Sequence, residues 1–237
     1  MSAGLRQSVA APGSPTTALE QEPSGLLVEG VAKRWGKTAI LEGIDLSLAH
    51  GTAMWISGGN GAGKTTLLRI IAGMITPDRG EVSIDGVRPD TDRGAFQAQI
   101  GFLAAGNSGL YARLSVRQNL EFWSGLAFVP RPKRREFVSR SLERFALTEL
   151  QSRRADRLSL GQRQRVRLAL TFLHEPRLVL LDEPAANLDE DGVATLLAAI
   201  GDHTRRGGMS VWCAPTPQTE LSWDHAYRLR GGRLEPA

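Results

Sequence analysis

The alternation of apolar and polar residues predicts strands at several points along the chain. Residues 44–48 alternate between the two classes, as a half-buried strand does, and residues 53–57 form a short apolar run suited to a buried strand. Residues 178–182 are another apolar run, typical of a strand covered on both faces of a parallel sheet. Further strands are predicted at residues 26–35, 81–84 and 210–213.

Helical patterns lie between these strands. Residues 65–73 carry an apolar face at helical spacing, which Pro77 ends, and residues 163–173 and 193–200 have patterns of the same type. Residues 96–165 contain amphipathic stretches and are predicted to form a mostly helical insertion. Because strands alternate with helices, the predicted fold class is α/β with a parallel sheet.

The composition is that of a globular domain preceded by a polar tail. Of the 237 residues, 41% are hydrophobic and 23% charged, and no apolar run approaches the roughly 20 residues that cross a bilayer. Residues 1–24 are rich in Ala, Ser, Pro, Gly and Thr, so we expect a disordered tail there and no signal peptide. The single cysteine, Cys213, rules out an internal disulfide and favours a reducing cytoplasm.

The net charge of +4 does not by itself predict a nucleic-acid partner. The 29 basic residues face 25 acidic ones, and the two are mixed along most of the chain. A local basic cluster is formed by Lys133, Arg134, Arg135, Arg140 and Arg144. We interpret this cluster as a solvated helix face, with contact to anionic lipid headgroups as the alternative.

A glycine-rich loop between a predicted strand and a predicted helix has the pattern GxxxxGK[ST]. Its residues are Gly58, Gly59, Asn60, Gly61, Ala62, Gly63, Lys64 and Thr65. Small residues let backbone N–H groups curl around phosphates, and the N-terminus of the following helix adds a positive dipole. In such a loop the lysine neutralises the β- and γ-phosphates and the threonine hydroxyl ligates Mg²⁺. The pattern therefore predicts a nucleoside triphosphate site, and an ordinary glycine-rich turn is the alternative.

Two adjacent carboxylates, Asp182 and Glu183, end the apolar run of residues 178–182. Ligands bind at the carboxyl ends of strands in such sheets, so Asp182 is placed to hold Mg²⁺. Glu183 is the candidate catalytic residue, since it could orient or deprotonate an attacking water. A solvated acidic turn is the alternative interpretation of this pair.

A third pattern, Leu-Ser-Leu-Gly-Gln, precedes the helical stretch of residues 163–173. Ser159 can cap that helix, and Ser159 with Gly161 at a helix start can also donate hydrogen bonds to a phosphate. The pattern alone favours the simple helix cap.

Taken in order, GGNGAGKT, LSLGQ and LVLLDEP resemble the nucleotide-binding domains of ABC (ATP-binding cassette) proteins, over about residues 26–234. The resemblance implies a P-loop NTPase core with an N-terminal antiparallel β subdomain and an inserted helical subdomain, spanning residues 25–237. It implies that ATP and Mg²⁺ are cofactors, that Trp35 stacks on adenine, and that Asp189 lies in the loop after the acidic strand end. A partly buried core aromatic is the alternative for Trp35. Residues assigned to nucleotide binding on this basis also include Thr66 and Gln162.

The same resemblance implies partners and a location. Two such domains meet head to tail, so that Ser159 and Gly161 of one chain contact the ATP held by the other. The second cassette can be a copy of this chain or a different one. An integral-membrane transporter subunit is the other expected partner, which places the protein in the cytoplasm, peripheral on the inner face of the membrane. Phe122 and Trp123 lie near the family's transmission groove, although we expect both in the core.

Two elements of the family pattern are missing from the sequence. Most members carry a glutamine after the strand at residues 100–103, where this chain reads Ala-Ala-Gly-Asn, and a histidine after the strand at residues 210–213, where it carries Pro215. Gln97, Gln99 and His225 are not expected to substitute. We therefore expect intact ATP binding with slow hydrolysis.

Two classes of function follow from these observations. The first is a transport ATPase subunit, with export favoured because residues 109–123 resemble exporter members. The second is a nucleotide-dependent binding module that regulates a partner, or pairs asymmetrically with a complete cassette, and scarcely hydrolyses ATP.

Overall fold

The computed structural model describes residues 24–215 and 222–237, which form two sheets and a set of flanking helices. The strands are β1 (Leu26–Trp35), β2 (Thr38–Leu48), β3 (Ala53–Ser57), β4 (Arg79–Ile84), β5 (Ile100–Leu103), β6 (Leu178–Asp182), β7 (Met209–Cys213), β8 (His225–Arg230) and β9 (Arg233–Pro236). The α-helices are α1 (Lys64–Ile71), α2 (Arg93–Ala98), α3 (Val116–Leu126), α4 (Arg131–Arg144), α5 (Leu160–Phe172) and α6 (Glu190–Arg205). The predicted tail, apart from Ser24, lies outside the described residues.

The two sheets differ in strand direction. The first sheet is antiparallel, in the order β2-β1-β4. The second has the order β5-β6-β7-β3-β8-β9 and is parallel except for the pairing of β9 with β8. The predicted α/β fold class, with its parallel sheet and N-terminal antiparallel subdomain, is confirmed.

Helices cover both faces of the second sheet, which explains its continuous apolar strands. Every residue of β3, β6 and β7 is buried. Leu178 and Leu180 belong to the core cluster that includes α1, whereas Val179 and Leu181 belong to the cluster that includes α5 and α6. Because successive side chains in a strand point to opposite faces, each strand contributes to both clusters.

The helical part of the chain begins later than the predicted insertion of residues 96–165. That range starts with the end of α2 and contains β5, which pairs in parallel with β6 in the second sheet. Helices α3 and α4 then pack on each other, and α5 lies against β5. Within the described residues, no helix is both long enough and apolar enough to span a membrane.

Candidate functional site

The phosphate loop, residues 58–63, joins the carboxyl end of β3 to the first residue of α1. Glycine is required at two of its positions. A Cβ on Gly58 would lie 2.7 Å from the Leu229 carbonyl oxygen, and one on Gly63 would lie 3.1 Å from atoms of Ile40. Gly63 also has a φ of +105°, which side chains rarely adopt. The loop can therefore bring its backbone close to a ligand at the positively polarised end of α1.

Lys64 turns back over this loop. Its side chain is buried, and Nζ donates hydrogen bonds to the carbonyl oxygens of Gly58, at 2.7 Å, and Gly59, at 3.1 Å. The ammonium group is thus held beside the loop amides without a carboxylate partner among the described ion pairs. A buried cation in this position suits an anion with several charges.

Thr65 and Asp182 meet across the end of the sheet, although 117 positions separate them in the chain. The Thr65 hydroxyl donates to Oδ2 of Asp182 at 2.7 Å, and Asp182 is only 2% exposed. A hydroxyl and a carboxylate provide the hard oxygen ligands that Mg²⁺ prefers, usually together with phosphate oxygens. These two predicted magnesium ligands therefore fit that ion.

Glu183 follows Asp182 in a left-handed backbone conformation, with a φ of +51°. Its N–H donates to the carbonyl oxygen of Cys213 at 2.8 Å, which fixes the end of β6 to the end of β7. Its side chain is half-buried, so water can reach the carboxylate. Burial and the nearby Asp182 raise the pKa of the Cys213 thiol, so this cysteine stays uncharged beside the carboxylates.

The Leu-Ser-Leu-Gly-Gln segment starts α5. Ser159 Oγ accepts from the Gln162 N–H at 3.2 Å while Gln162 Oε1 accepts from the Ser159 N–H at 3.1 Å, which is a capping box. A Cβ on Gly161 would lie 2.7 Å from the Asn187 carbonyl oxygen, so this glycine permits α5 to pack on the loop before α6. Asp189 caps α6 by accepting from Gly192. The helix-cap interpretation of Ser159 is therefore confirmed within the single chain.

Trp35 lies at the tip of the hairpin between β1 and β2, where it pairs with Thr38. It is 53% exposed, so the core alternative for this residue is wrong. The same hairpin reaches the phosphate loop through Ile40, the neighbour of Gly63.

Sequence reasoning missed Arg167, a buried cation in the middle of α5. Its guanidinium group donates to the carbonyl oxygens of Ala104, Gly106 and Ser108, with an N–O distance of 2.9 Å at Ser108, and to Gln164 Oε1 at 2.6 Å. Burial lowers the pKa of Arg167. The only signal in the sequence is a charged residue between Val166 and Leu168, which does not reveal the partners.

Gln164 extends this network to the end of β6, where Asp182 and Glu183 lie. Its Nε2 donates to the Pro184 carbonyl oxygen at 2.8 Å, and Pro184 directly follows Glu183. Arg167 and Gln164 therefore connect α5 both to the loop after β5 and to the segment that carries the candidate catalytic carboxylate.

The residues considered as replacements for the two missing family elements lie elsewhere. Gln97 is in α2, and the Gln99 carbonyl oxygen accepts from Arg177 and Leu178. His225 pairs with Met54 near the amino end of β3, away from the phosphate loop. The residues just after Pro215, from 216 to 221, lie outside the described part of the chain.

An apolar groove of about 400 Å³ lies beside the loop after β5. Residues Trp123, Leu126 and Phe128 contribute to its lining, and Phe128 is 84% exposed. Phe122, in edge contact with Tyr111 nearby, is 41% exposed, so our expectation that it lies in the core is wrong. On α3 the buried residues include Leu120 and Ser124, and position 122 falls on another side of the helix.

The basic cluster of α4 is only partly a solvated face. Lys133 and Arg135 are exposed, and Arg140 forms ion pairs with Glu136 and Glu175. Arg144 is half-buried, donates to the Ala199 carbonyl oxygen at 2.7 Å and lies over the ring of Phe172. Arg134 likewise bonds to the carbonyl oxygen of Val129. Three of the five cations are therefore held by the protein's own structure, Arg134 and Arg144 by carbonyl oxygens and Arg140 by carboxylates.

The sequence of this chain is similar to those of known proteins. The family model for ABC transporters matches residues 41–186. The sulfate/thiosulfate import ATP-binding protein CysA of Thermosynechococcus vestitus is 39% identical over 165 residues, which are 70% of this chain and 48% of CysA. The cytochrome c biogenesis ATP-binding export protein CcmA of Xanthomonas axonopodis pv. citri is 34% identical over 210 residues, 86% of this chain and 95% of CcmA. The match thus spans about half the length of CysA and nearly all of CcmA.

Among solved structures, the dimeric ATP-binding cassette MJ0796, in a post-hydrolysis state bound to ADP and Pi, has a similar fold. The TM-score is 0.78 at 23% sequence identity, and the alignment covers 89% of this chain and 96% of that one.

Proposed function

Since this chain belongs to the ABC transporter family, we propose that it is an ATP-binding subunit that powers a membrane transporter by binding and hydrolysing ATP. The observation that carries the proposal is the meeting of Lys64, Thr65 and Asp182 at one end of the second sheet. Together these residues supply the cation and the oxygen ligands that a triphosphate and its metal ion need. ATP-binding cassettes of this family are ATPases in general.

In this proposal the phosphate loop binds ATP through its amides and through Lys64. Nζ of Lys64 leaves the carbonyl oxygens of Gly58 and Gly59 and neutralises the phosphates instead. Thr65 and Asp182 would hold Mg²⁺, which stabilises negative charge on the phosphates when bound. Their present 2.7 Å contact keeps both groups in place for that role.

Glu183 is the residue we assign to the attacking water. Its carboxylate is half-buried at the end of β6, and its backbone is fixed to β7 through the Cys213 carbonyl oxygen. A carboxylate in this position can orient the water or accept its proton. Because no glutamine follows β5 and Pro215 follows β7, we propose that turnover stays below the rate of about 10 s⁻¹ typical of enzymes.

We further propose that a second cassette completes the site. The fold similarity to a cassette that forms a dimer supports this arrangement. Ser159 and Gly161 start α5, where the free N–H groups of a helix end can meet a phosphate held by the opposite chain. The partner cassette can be a second copy or a related chain.

The membrane partner is assigned to the apolar groove between the loop after β5 and α3. Its exposed Phe128 and Leu126 form the kind of apolar surface that marks a protein contact. This partner would keep the protein peripheral on the cytoplasmic side of the membrane. The export direction expected from residues 109–123 is not retained, because CysA is named for import and CcmA for export.

The variant Glu183→Gln tests this assignment. We expect it to bind ATP, to lose at least about 100-fold in hydrolysis rate, and to accumulate as an ATP-dependent dimer in light scattering. Glu149→Gln, an exposed change with the same loss of charge, is the matched control and should behave like the wild type. Unchanged hydrolysis in Glu183→Gln would contradict the catalytic role, and wild-type turnover near 10 s⁻¹ would contradict slow hydrolysis.

A further inference from the structure

Lys33 is held in place by three separate contacts at the end of the first sheet. Its Nζ forms an ion pair with Asp78 at 2.8 Å and donates to the Thr76 carbonyl oxygen at 2.9 Å. The same Nζ lies 4.9 Å from the centre of the Trp35 ring. The Lys33 side chain is only 12% exposed, which is unusually low for a lysine.

Two hydrogen bonds to the backbone of β1 hold Asp78 in place. Oδ2 accepts from the Arg34 N–H at 2.7 Å, and the Asp78 N–H donates to the Ala32 carbonyl oxygen at 2.9 Å. The hydrogen bond from Lys33, followed by the bond from Arg34, lowers the pKa of Asp78. Asp78 therefore stays ionised at neutral pH and fixes the ammonium group against the tryptophan.

Strand geometry explains why the ammonium group reaches the ring. Lys33 and Trp35 are two positions apart in β1, and their side chains meet there although the pairing with β2 shifts register between Lys33 and Arg34. The cation covers one face of the indole, and Trp35 nevertheless remains 53% exposed. About half of the Trp35 surface is therefore open to contact with another flat group.

This ring lies close to the phosphate loop. Trp35 pairs with Thr38 across the hairpin, and Ile40, two residues further along β2, packs against Gly63. Two strand residues span roughly 7 Å. A base attached to a triphosphate in the loop can therefore reach the Trp35 ring.

We propose that Lys33 is a positioning residue for the base of the bound nucleotide, because it holds the Trp35 ring as a fixed platform with one face free. This inference rests on the proposed ATP-binding function. A ring that is already immobilised loses less rotational freedom when a base stacks on it. The cation also draws π electrons toward the covered face, which reduces repulsion between the free face and a stacked purine.

The test separates the base from the phosphates by comparing two ligands, Mg-ATP and magnesium tripolyphosphate, in equilibrium titrations. We expect Lys33→Met to weaken ATP binding by about 3- to 10-fold and to leave tripolyphosphate binding within about twofold. Lys33→Arg keeps a cation over the ring and should restore ATP affinity. Lys37→Met, an exposed change in the same hairpin turn, removes the same charge and should alter neither affinity.

Equal weakening of both ligands by Lys33→Met would overturn the inference, since it would mean that the lysine acts by charge alone. An unchanged ATP affinity would overturn it as well. If Lys33→Met does not fold, Asp78→Asn releases the ammonium group without removing it and should weaken ATP selectively. A wild-type chain that binds tripolyphosphate but not ATP would contradict this inference, whereas one that binds neither ligand would contradict the proposed function itself.

Discussion

The phosphate loop and the β5 loop, residues 104–108, both follow parallel strands of the second sheet, yet they are held in different ways. The phosphate loop is fixed by neighbours in sequence, since Lys64 bonds to the carbonyl oxygens of Gly58 and Gly59. The β5 loop is fixed by Arg167, which lies 59 to 63 positions further along the chain. One loop is thus a local structure, and the other depends on where α5 packs.

This difference assigns ATP binding to the phosphate loop and the transmission of a dimer movement to the β5 loop. The phosphate loop, with α1 directly after it, can bind phosphates without depending on where α5 packs. The β5 loop is hydrogen-bonded to Arg167 of α5, and the capping residue of α5, Ser159, lies at the face assigned to the second cassette. Any displacement of α5 on dimer closure would therefore reach the β5 loop and the apolar groove beside it. Three changes test this contrast, in order of decreasing effect.

Acid should destabilise the fold as a whole through His203, which is buried in α6 and bonds to the Met209 carbonyl oxygen at 3.1 Å. Burial, together with the nearby Arg144 and Arg206, lowers the pKa of His203 from 6.5 to about 4. Between these values the unfolded chain binds a proton that the folded chain does not, so stability falls as the pH falls from 6.5 to 4. We expect a loss of up to about 3 kcal/mol in the free energy of unfolding.

Urea unfolding at a series of pH values measures this loss. In His203→Gln the free energy of unfolding should depend less on pH between 6.5 and 4. Part of the dependence should remain, because burial also lowers the pKa of His174. If the free energy of unfolding of His203→Gln depended on pH as strongly as that of the wild type, His203 would not be the cause of the acid destabilisation.

Removing Arg167 should loosen the β5 loop and leave the phosphate loop in place. Arg167→Met leaves the carbonyl oxygens of Ala104, Gly106 and Ser108 without their donor, and we expect unfolding to become easier by about 1–3 kcal/mol. Hydrogen exchange of residues 104–109 should become faster, while the ATP affinity of the phosphate loop stays within about twofold.

Arg165→Met provides the matched control for this change. It removes the same charge from the same helix at a half-exposed position. Its effect on stability should stay within about 0.5 kcal/mol. If Arg167→Met weakened ATP binding as strongly as a change in the phosphate loop, the two loops would not be independent.

Substitutions of Ser159 are expected to have the smallest effect on stability. They distinguish its role as a helix cap from its proposed contact with a phosphate. Ser159→Ala removes the helix cap and should cost about 1 kcal/mol of stability. Ser159→Asp keeps a capping oxygen but would place a carboxylate against the phosphate assigned to this helix end. We expect nearly wild-type stability with at least about tenfold slower hydrolysis, measured by phosphate release. If Ser159→Asp hydrolysed ATP at the wild-type rate, Ser159 would serve only as a helix cap.

The parts of this molecule that could be predicted from sequence are those whose interactions are local. Residues 53–65 and residues 178–184 each contain a strand, the turn that follows it and their chemical groups in one short stretch. The role of Arg167 could not be predicted, because its partners lie about 60 positions away. Phe122 was misplaced for a related reason, since only the packing of α3 decides which of its sides is covered.

The most direct test of the account is an equilibrium titration of Mg-ATP with the wild type and with Lys64→Ala. We expect saturable binding to the wild type. We also expect a loss of affinity of at least about 100-fold in the variant, because the buried ammonium group beside Gly58 and Gly59 is the cation that neutralises the phosphates. Absence of saturable binding by folded wild-type protein, or equal affinities for the two proteins, would contradict it.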